Sequence, residues 1–212
     1  MNRIPGPYPM KRPFQAMIAS VAWMAVIIDF SLSGRHLVQY ISYFTIESNL
    51  LIAISLTIAV VLPGSKAARW ILSPSFQTAL AVYIFVVAMV YNIVLRNTWA
   101  ITGWGSIIDD LLHVVIPALY LVYWLIYIPY RSLKWADVLI WLIFPAIYLI
   151  YTFIRGEVIG RYPYPIIDVT KLGYAHALIN SGFVAAGFLA TGILLIIWNR
   201  TRIVRIKQMN TN

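Results

Sequence analysis

The fold class is decided by residues 108–129, which read IDDLLHVVIPALYLVYWLIYIP. After two aspartates and a histidine near its start, this stretch is apolar or aromatic to its end. Its length matches the roughly 20 residues that a helix needs to cross the hydrocarbon core of a bilayer. Five more stretches of this kind occur, so we predict six membrane spans, at residues 14–33, 38–62, 76–95, 108–129, 135–154 and 174–198.

The six apolar stretches are helices and not barrel strands. Membrane β-strands are about 10 residues long and alternate strictly between apolar and polar residues. The stretches here are twice as long and do not alternate. We therefore predict an all-α polytopic membrane protein in which residues 14–198 form one six-helix bundle. Residues 1–13 are predicted to be a proline-rich N-terminal arm and residues 199–212 a basic tail.

The composition supports this class and excludes several functions. The chain is 61% hydrophobic and 11% charged, whereas soluble domains are about 45–50% apolar and about 25% charged. It contains no cysteine, which excludes disulfides, thiolate catalysis and thiolate metal sites. The lysines and arginines that give the chain its net charge of +9 lie at the ends of the spans. We therefore predict contacts with anionic lipid headgroups and no nucleic-acid partner.

The lysines and arginines also predict the orientation in the membrane. Eleven of the sixteen flank one side of the predicted bundle, together with both termini. The other side has five, namely Arg35, Arg96, Arg155, Arg161 and Lys171. Because cytoplasmic segments carry the excess of positive charge, both termini are predicted to be cytoplasmic. We call the opposite end of the bundle the outer end.

Polar side chains concentrate near the predicted outer end of five spans. They are Asp29, Thr45, Glu47, Asn49, Asn92, Asp109, Asp110, His113, His176 and Asn180. Ionisable groups within a membrane are costly, so a cluster of them indicates a functional site. Asp109 and His113 are four residues apart and share a helix face, where the carboxylate can orient the imidazole.

Other interpretations of these residues remain open. Asp109 or Asp110 can act as a helix cap, because each lies at the predicted start of a span. A membrane threonine such as Thr45 often bonds only its own backbone or a neighbouring helix.

Pro117 follows His113 by four residues and has no N–H, so we expect a kink and a freed carbonyl at His113.

Two local motifs resemble those of a known family. YFTIESNLL at 43–51 and DDLLHVVIP at 109–117 are similar to segments of the bacterial six-span "Pr-six-Pr" membrane proteins, and YPYP at 162–165 followed by Asp168 fits the same pattern. The resemblance covers about residues 14–198. It implies a multi-pass protein of a bacterial plasma membrane.

A more distant similarity suggests an activity. The bacterial group resembles the androgen-induced family, whose members hydrolyse fatty acid esters of hydroxy fatty acids with an intramembrane threonine and histidine. Mapped by motif, these two residues are Thr45 and His113. The resemblance thus implies a lipid-ester hydrolase that needs no metal or cofactor and whose substrate comes from the membrane.

The remaining polar residues can then be given roles in such a reaction. A threonine hydroxyl needs an adjacent base, which His113 can supply if Asp109 or Asp110 orients it. Asn49, Asn92, Asn180 and His176 are further candidates for orienting groups or oxyanion donors. The sequence assigns no role to Asp29, Glu47 or Asp168, and it does not determine the oligomeric state.

Two competing functions stay open at this point. His113 and His176, with Asp29, Asp109 or Asp110, can be ligands of a metal, or the two histidines can hold haem. A lipid-binding or small-molecule-binding membrane protein without catalysis is the third possibility. No internal repeat is visible, and the polar groups lie toward one end, which argues against an alternating-access transporter.

Overall fold

The computed structural model describes residues 10–96, 98 and 102–202. These residues are mainly helical and contain no strand. Six helices among them are long and apolar enough to span a membrane, which confirms the predicted all-α polytopic class. Most of the predicted N-terminal arm and of the predicted basic tail lie outside the described residues.

The six spans are close to the predicted ones, but several ends differ. They are Lys11–Ser33, Phe44–Val61, Pro74–Leu95, Trp104–Tyr127, Asp137–Ile159 and Val169–Thr201, here called spans 1 to 6. Span 2 starts later than predicted because Leu37–Tyr40 is a separate short helix. Another short helix, Lys66–Ile71, connects spans 2 and 3. Span 6 starts earlier, and Gly173 kinks it near its start.

Spans 3, 4 and 5 are interrupted. Span 3 is α-helical over Pro74–Val90 and continues as a π-helical turn, Tyr91–Leu95. Span 4 consists of Trp104–Asp110, a π-helical turn at Leu111–Val115, and Ile116–Tyr127. Span 5 is divided into Asp137–Trp141 and Ile143–Ile159. The irregularity expected near His113 is thus present as a π turn.

Local sequence explains where several helices begin. Pro74 occupies the first turn of span 3, and the preceding Ser73 accepts a hydrogen bond from the Phe76 N–H, as an N-cap serine does. Asp168 caps span 6 through the Thr170 N–H. The helix-cap interpretation of Asp109 and Asp110 is wrong, because span 4 begins at Trp104 and both aspartates lie inside it.

Span 3 lies at the centre of the bundle. It contacts spans 2, 4, 5 and 6, while span 1 packs on spans 2 and 4. In span 3, 61% of the most apolar 18-residue stretch is buried inside the protein, against 22% in span 5. Spans 1, 2 and 4 contact one another and spans 2 and 4 also contact span 3, so the polar residues at the outer ends of these four spans lie close together.

Candidate functional site

A polar cavity of about 270 Å³ lies at the outer end of the bundle. Its lining includes Thr45 from span 2 and both Asp109 and His113 from span 4. The other residues that line it are Asp29, Arg35, Tyr40, Tyr43, Ile46, Tyr91 and Tyr164. The structure thus brings the two residues singled out by the motifs, Thr45 and His113, to one cavity.

His113 is held by two neighbours. Its Nδ1 lies 2.9 Å from the Asp109 carbonyl oxygen and 3.1 Å from Asp109 Oδ1. The Tyr91 ring stacks on the imidazole, with 3.6 Å between the ring centroids and 14° between the planes. The Tyr91 hydroxyl also donates a hydrogen bond to Asp109 Oδ2. With Nδ1 donating to Asp109, Nε2 is left as the basic nitrogen.

The π turn around His113 is completed by amide side chains from other spans. Within the turn, the Ile116 N–H bonds to the Leu111 carbonyl, and Pro117 has no N–H to offer. The carbonyls of Leu112 and His113 accept instead from Asn49 Nδ2 at 3.4 Å and from Asn92 Nδ2 at 3.1 Å. Two spans thereby fix the backbone that carries the imidazole. π turns of this kind are frequent at functional sites.

Thr45 is buried, with 8% of its surface exposed, and its hydroxyl lies beside a tyrosine far along the chain. The Thr45 N–H donates to the Tyr164 hydroxyl at 3.1 Å, and the Thr45 Oγ1 lies 3.3 Å from the same phenol oxygen. No hydrogen bond joins Thr45 to the His113 ring in the part of the chain that the structure describes. A proton passing between them therefore needs an intermediary within the cavity.

A second cavity, of about 350 Å³, adjoins the first and is almost entirely apolar. Aliphatic and aromatic residues of spans 3, 5 and 6 form most of its wall, among them Val87, Leu149 and Phe188. Thr45, Tyr91 and Tyr164 line both cavities. The threonine hydroxyl therefore lies where an apolar compartment meets a polar one that contains a histidine.

The asparagines are engaged in structural hydrogen bonds. Besides the π-turn carbonyls, Asn49 Nδ2 donates to the Thr45 carbonyl at 2.8 Å, and Asn92 Nδ2 donates to the Ala88 carbonyl at 2.8 Å. Asn180 Nδ2 donates to the Ile166 carbonyl at 2.8 Å. None of the three lines the polar cavity. This geometry supports the orienting alternative for Asn49 and Asn92, whose amides hold the backbone at His113, and places none of the three at the polar cavity as an oxyanion donor.

Asp110 has a different partner from its neighbour Asp109. Its carboxylate pairs with Arg96 at 2.6 Å, and both side chains are close to half-exposed. Asp110 therefore forms a surface ion pair between spans 3 and 4, and Asp109 is the acid that contacts His113.

The two histidines considered as metal or haem ligands lie in different surroundings. His113 is buried at the cavity, whereas His176 is exposed and its Nδ1 lies 3.2 Å from the Leu172 carbonyl of its own span. His176 lines neither cavity. Among the described residues, no group of three or more histidine, aspartate or glutamate side chains is arranged to hold a metal ion.

The acids to which the sequence assigned no role lie in three environments. Asp29 lines the polar cavity, and Glu47 is half-buried outside both cavities. Asp168 caps span 6 and pairs with Lys171 at 3.4 Å. Partial burial alone would raise the pKa of Asp168, but hydrogen bonds from Thr170 and Lys171 outweigh it and leave that pKa below its usual value.

Sequence reasoning missed Tyr91, which stacks on His113, and Tyr164, which contacts Thr45. Tyr91 precedes Asn92 in an apolar stretch and carried no signal as a site residue. Tyr164 lies in the YPYP segment, whose composition predicts an extended chain but not its path back to Thr45. Burial raises the pKa of Tyr164 to about 12, so its hydroxyl stays protonated near neutral pH.

Comparison of the chain with protein-family models, with curated proteins and with solved structures finds no match. The resemblance to the six-span bacterial family thus rests on the quoted motifs.

Proposed function

We propose that the protein is an intramembrane hydrolase of fatty acyl esters, with Thr45 as nucleophile and His113 as general base. One observation carries this proposal: Thr45 lies where the apolar cavity meets the polar cavity that holds His113 and Asp109. An ester of a lipid has the same division, with an acyl chain on one side of the carbonyl and a polar group on the other.

The acyl chain would occupy the apolar cavity and place its carbonyl beside Thr45. His113 Nε2 takes the Thr45 proton, through one water in the polar cavity, as Oγ1 attacks the carbonyl carbon. The tetrahedral intermediate collapses by breaking the bond to the alcohol oxygen. That oxygen receives the proton from His113 and leaves, while the acyl group stays on Thr45.

Water completes the reaction from the polar cavity. His113 accepts a proton from a water molecule as the water oxygen attacks the acyl carbon, and the bond between that carbon and Thr45 Oγ1 breaks. The proton returns to Thr45, and the products are one carboxylic acid and one alcohol. Asp109 keeps the imidazole in the tautomer with Nε2 free, and it stabilises the imidazolium that forms in each step.

The location is part of the same proposal. Positive charge flanking the termini supports a plasma membrane with cytoplasmic termini, and the motif resemblance supports a bacterial one. The site then lies at the outer leaflet, close to the depth of lipid ester groups. Water reaches the polar cavity from the outer surface.

Variants of Thr45 and His113 test the proposal. We expect Thr45→Ala and His113→Ala each to lower the hydrolysis of p-nitrophenyl laurate by the purified protein by about 100-fold or more. Thr57→Ala and His176→Ala are matched controls, because Thr57 bonds Trp23 and the Ala53 carbonyl and His176 is exposed. Full hydrolysis by the Thr45→Ala protein, with each variant folded, would contradict the proposed nucleophile.

A lipid-binding protein without turnover is the second candidate. It is favoured by one observation, the pairing of the Thr45 hydroxyl with Tyr164 and not with His113. Saturable binding of a fatty acyl ester by wild type, with no product formed in the same sample, would select this candidate over the hydrolase.

A further inference from the structure

Tyr164 occupies the space beside Thr45 that a reacting ester needs. Its phenol oxygen lies 3.3 Å from Thr45 Oγ1 and 3.1 Å from the Thr45 nitrogen. A carbonyl under attack must come to about 3–3.5 Å from the nucleophile. Ester carbonyl and Tyr164 hydroxyl therefore compete for one position, and the hydroxyl holds it in this structure.

The tyrosine also contacts both compartments. Its side chain lines the apolar cavity as well as the polar one, so an acyl chain that fills the apolar cavity touches the group that covers Thr45. The Tyr43 ring lies edge-on to the Tyr164 ring, with 5.5 Å between centroids. Because two weak hydrogen bonds and ring contacts hold Tyr164, an incoming chain can displace it at modest cost.

We propose that Tyr164 determines substrate chain length, by covering Thr45 until an acyl chain fills the apolar cavity. This inference rests on the proposed hydrolase function. Long-chain esters fill the apolar cavity and shift the tyrosine away from Thr45. Short-chain esters reach Thr45 only when the tyrosine moves unaided, so they react slowly.

Displacement of Tyr164 has a second consequence for the reaction. The Thr45 N–H, now bonded to the phenol oxygen, becomes free to donate to the carbonyl oxygen that takes its place. A donor held at this distance stabilises the negative charge that develops on that oxygen. The same movement thus uncovers the nucleophile and releases a donor for the oxyanion.

The segment that carries Tyr164 is held in place by the residues on either side of Tyr164. Asn180 binds the Ile166 carbonyl at 2.8 Å, and the ring of Tyr162 packs so closely on Gly156 that an added Cβ would lie 2.2 Å from it. Tyr162 is therefore a matched control, since it belongs to the same YPYP segment but lines neither cavity.

The test compares p-nitrophenyl butyrate with p-nitrophenyl laurate on the purified full chain. Tyr164→Phe removes the hydroxyl and keeps the ring. We expect it to raise kcat for the butyrate by about threefold to tenfold, and to change kcat for the laurate little, because the bound long chain already holds the tyrosine away from Thr45. Tyr162→Phe should change neither value, and unaltered thermal unfolding should show that both variants are folded.

The other outcomes distinguish failure of this inference from failure of the proposed hydrolase function. If Tyr164→Phe lowers kcat for both esters, the phenol assists the reaction and the inference is overturned. An unchanged ratio of the two kcat values also overturns it, while Thr45-dependent hydrolysis stands. If wild type hydrolyses neither ester, the proposed function fails and this inference fails with it.

Discussion

Both ends of the bundle bury polar side chains, but those at the inner end are neutral, whereas those at the outer end include charged groups around a cavity. The inner end has a cluster of neutral groups from spans 1, 3 and 4, here called the inner cluster: Gln15, Gln77, Thr78, Tyr120, Tyr123 and Trp124. Its members are at most 2% exposed and bond to one another or to backbone carbonyls. None of them lines either cavity.

The outer site has the opposite properties. It contains carboxylates, a histidine and an arginine around a cavity, and two π turns interrupt the helices beside it. Charged groups inside a membrane protein are energetically costly, so they usually mark a functional site. A neutral network whose hydrogen bonds are all formed mainly stabilises packing. The difference supports a structural role for the inner cluster and a functional role for the outer site.

The largest effect that sharpens this comparison is expected at Asp109. In Asp109→Asn the negative charge that stabilises the protonated His113 ring is lost, while the Asp109 carbonyl still accepts from Nδ1. Hydrolysis of the laurate ester should fall by about 100-fold, with little change in thermal unfolding. Asp110→Asn is the matched control, because Asp110 pairs with Arg96 at the surface, and its activity should stay near wild type. Equal losses in both variants would contradict the role of Asp109.

A smaller effect, of a different kind, is expected in the inner cluster. Gln77 accepts from the Tyr120 hydroxyl and donates to the Ile71 carbonyl. Gln77→Leu leaves buried polar groups unpaired and should lower the free energy of unfolding by about 1–3 kcal/mol. Turnover per folded molecule should not change. Gln39→Leu, at a half-buried position on a short helix, is the control and should alter neither value. A loss of turnover in Gln77→Leu would show that the inner cluster also affects activity.

The smallest effect is expected at Asp168, an acid near the outer end that lies outside the site. Its pKa is lowered in the folded protein, so its stabilisation is present above the unfolded pKa and is lost as pH falls through the folded one. Removing the cap in Asp168→Ala should cost about 1 kcal/mol at pH 7. The difference in melting temperature from wild type should shrink below about pH 4. A difference that stays constant down to pH 3 would show that the carboxylate charge is not involved.

Much of the fold could be predicted from the sequence, because span length and hydropathy are local properties. All six spans were identified, and most of their ends differ from the structure by a few residues. The short helices and the interruptions in spans 3 and 5 were missed, whereas an irregularity in span 4 was expected from Pro117. The π turn at His113 depends on Asn49 and Asn92, whose partners are carbonyls of another span. The sequence showed that Pro117 frees a carbonyl, but not what would bind it.

The candidate site was predicted less completely than the fold. Depth and spacing identified the Asp109–His113 pair, which lies within one helix. They did not identify Tyr164, which lies 119 residues from Thr45, or distinguish His113 from the exposed His176. Such contacts depend on how the spans pack, and hydropathy does not determine that packing.

Mapping the residue that a fluorophosphonate modifies tests the central proposal most directly. The purified protein is incubated with the reagent, digested and analysed by mass spectrometry. We expect one phosphonate adduct on Thr45, absent from the Thr45→Ala protein and formed much more slowly in His113→Ala. An adduct on another residue with hydrolysis retained, or hydrolysis by wild type without modification of Thr45, would contradict it.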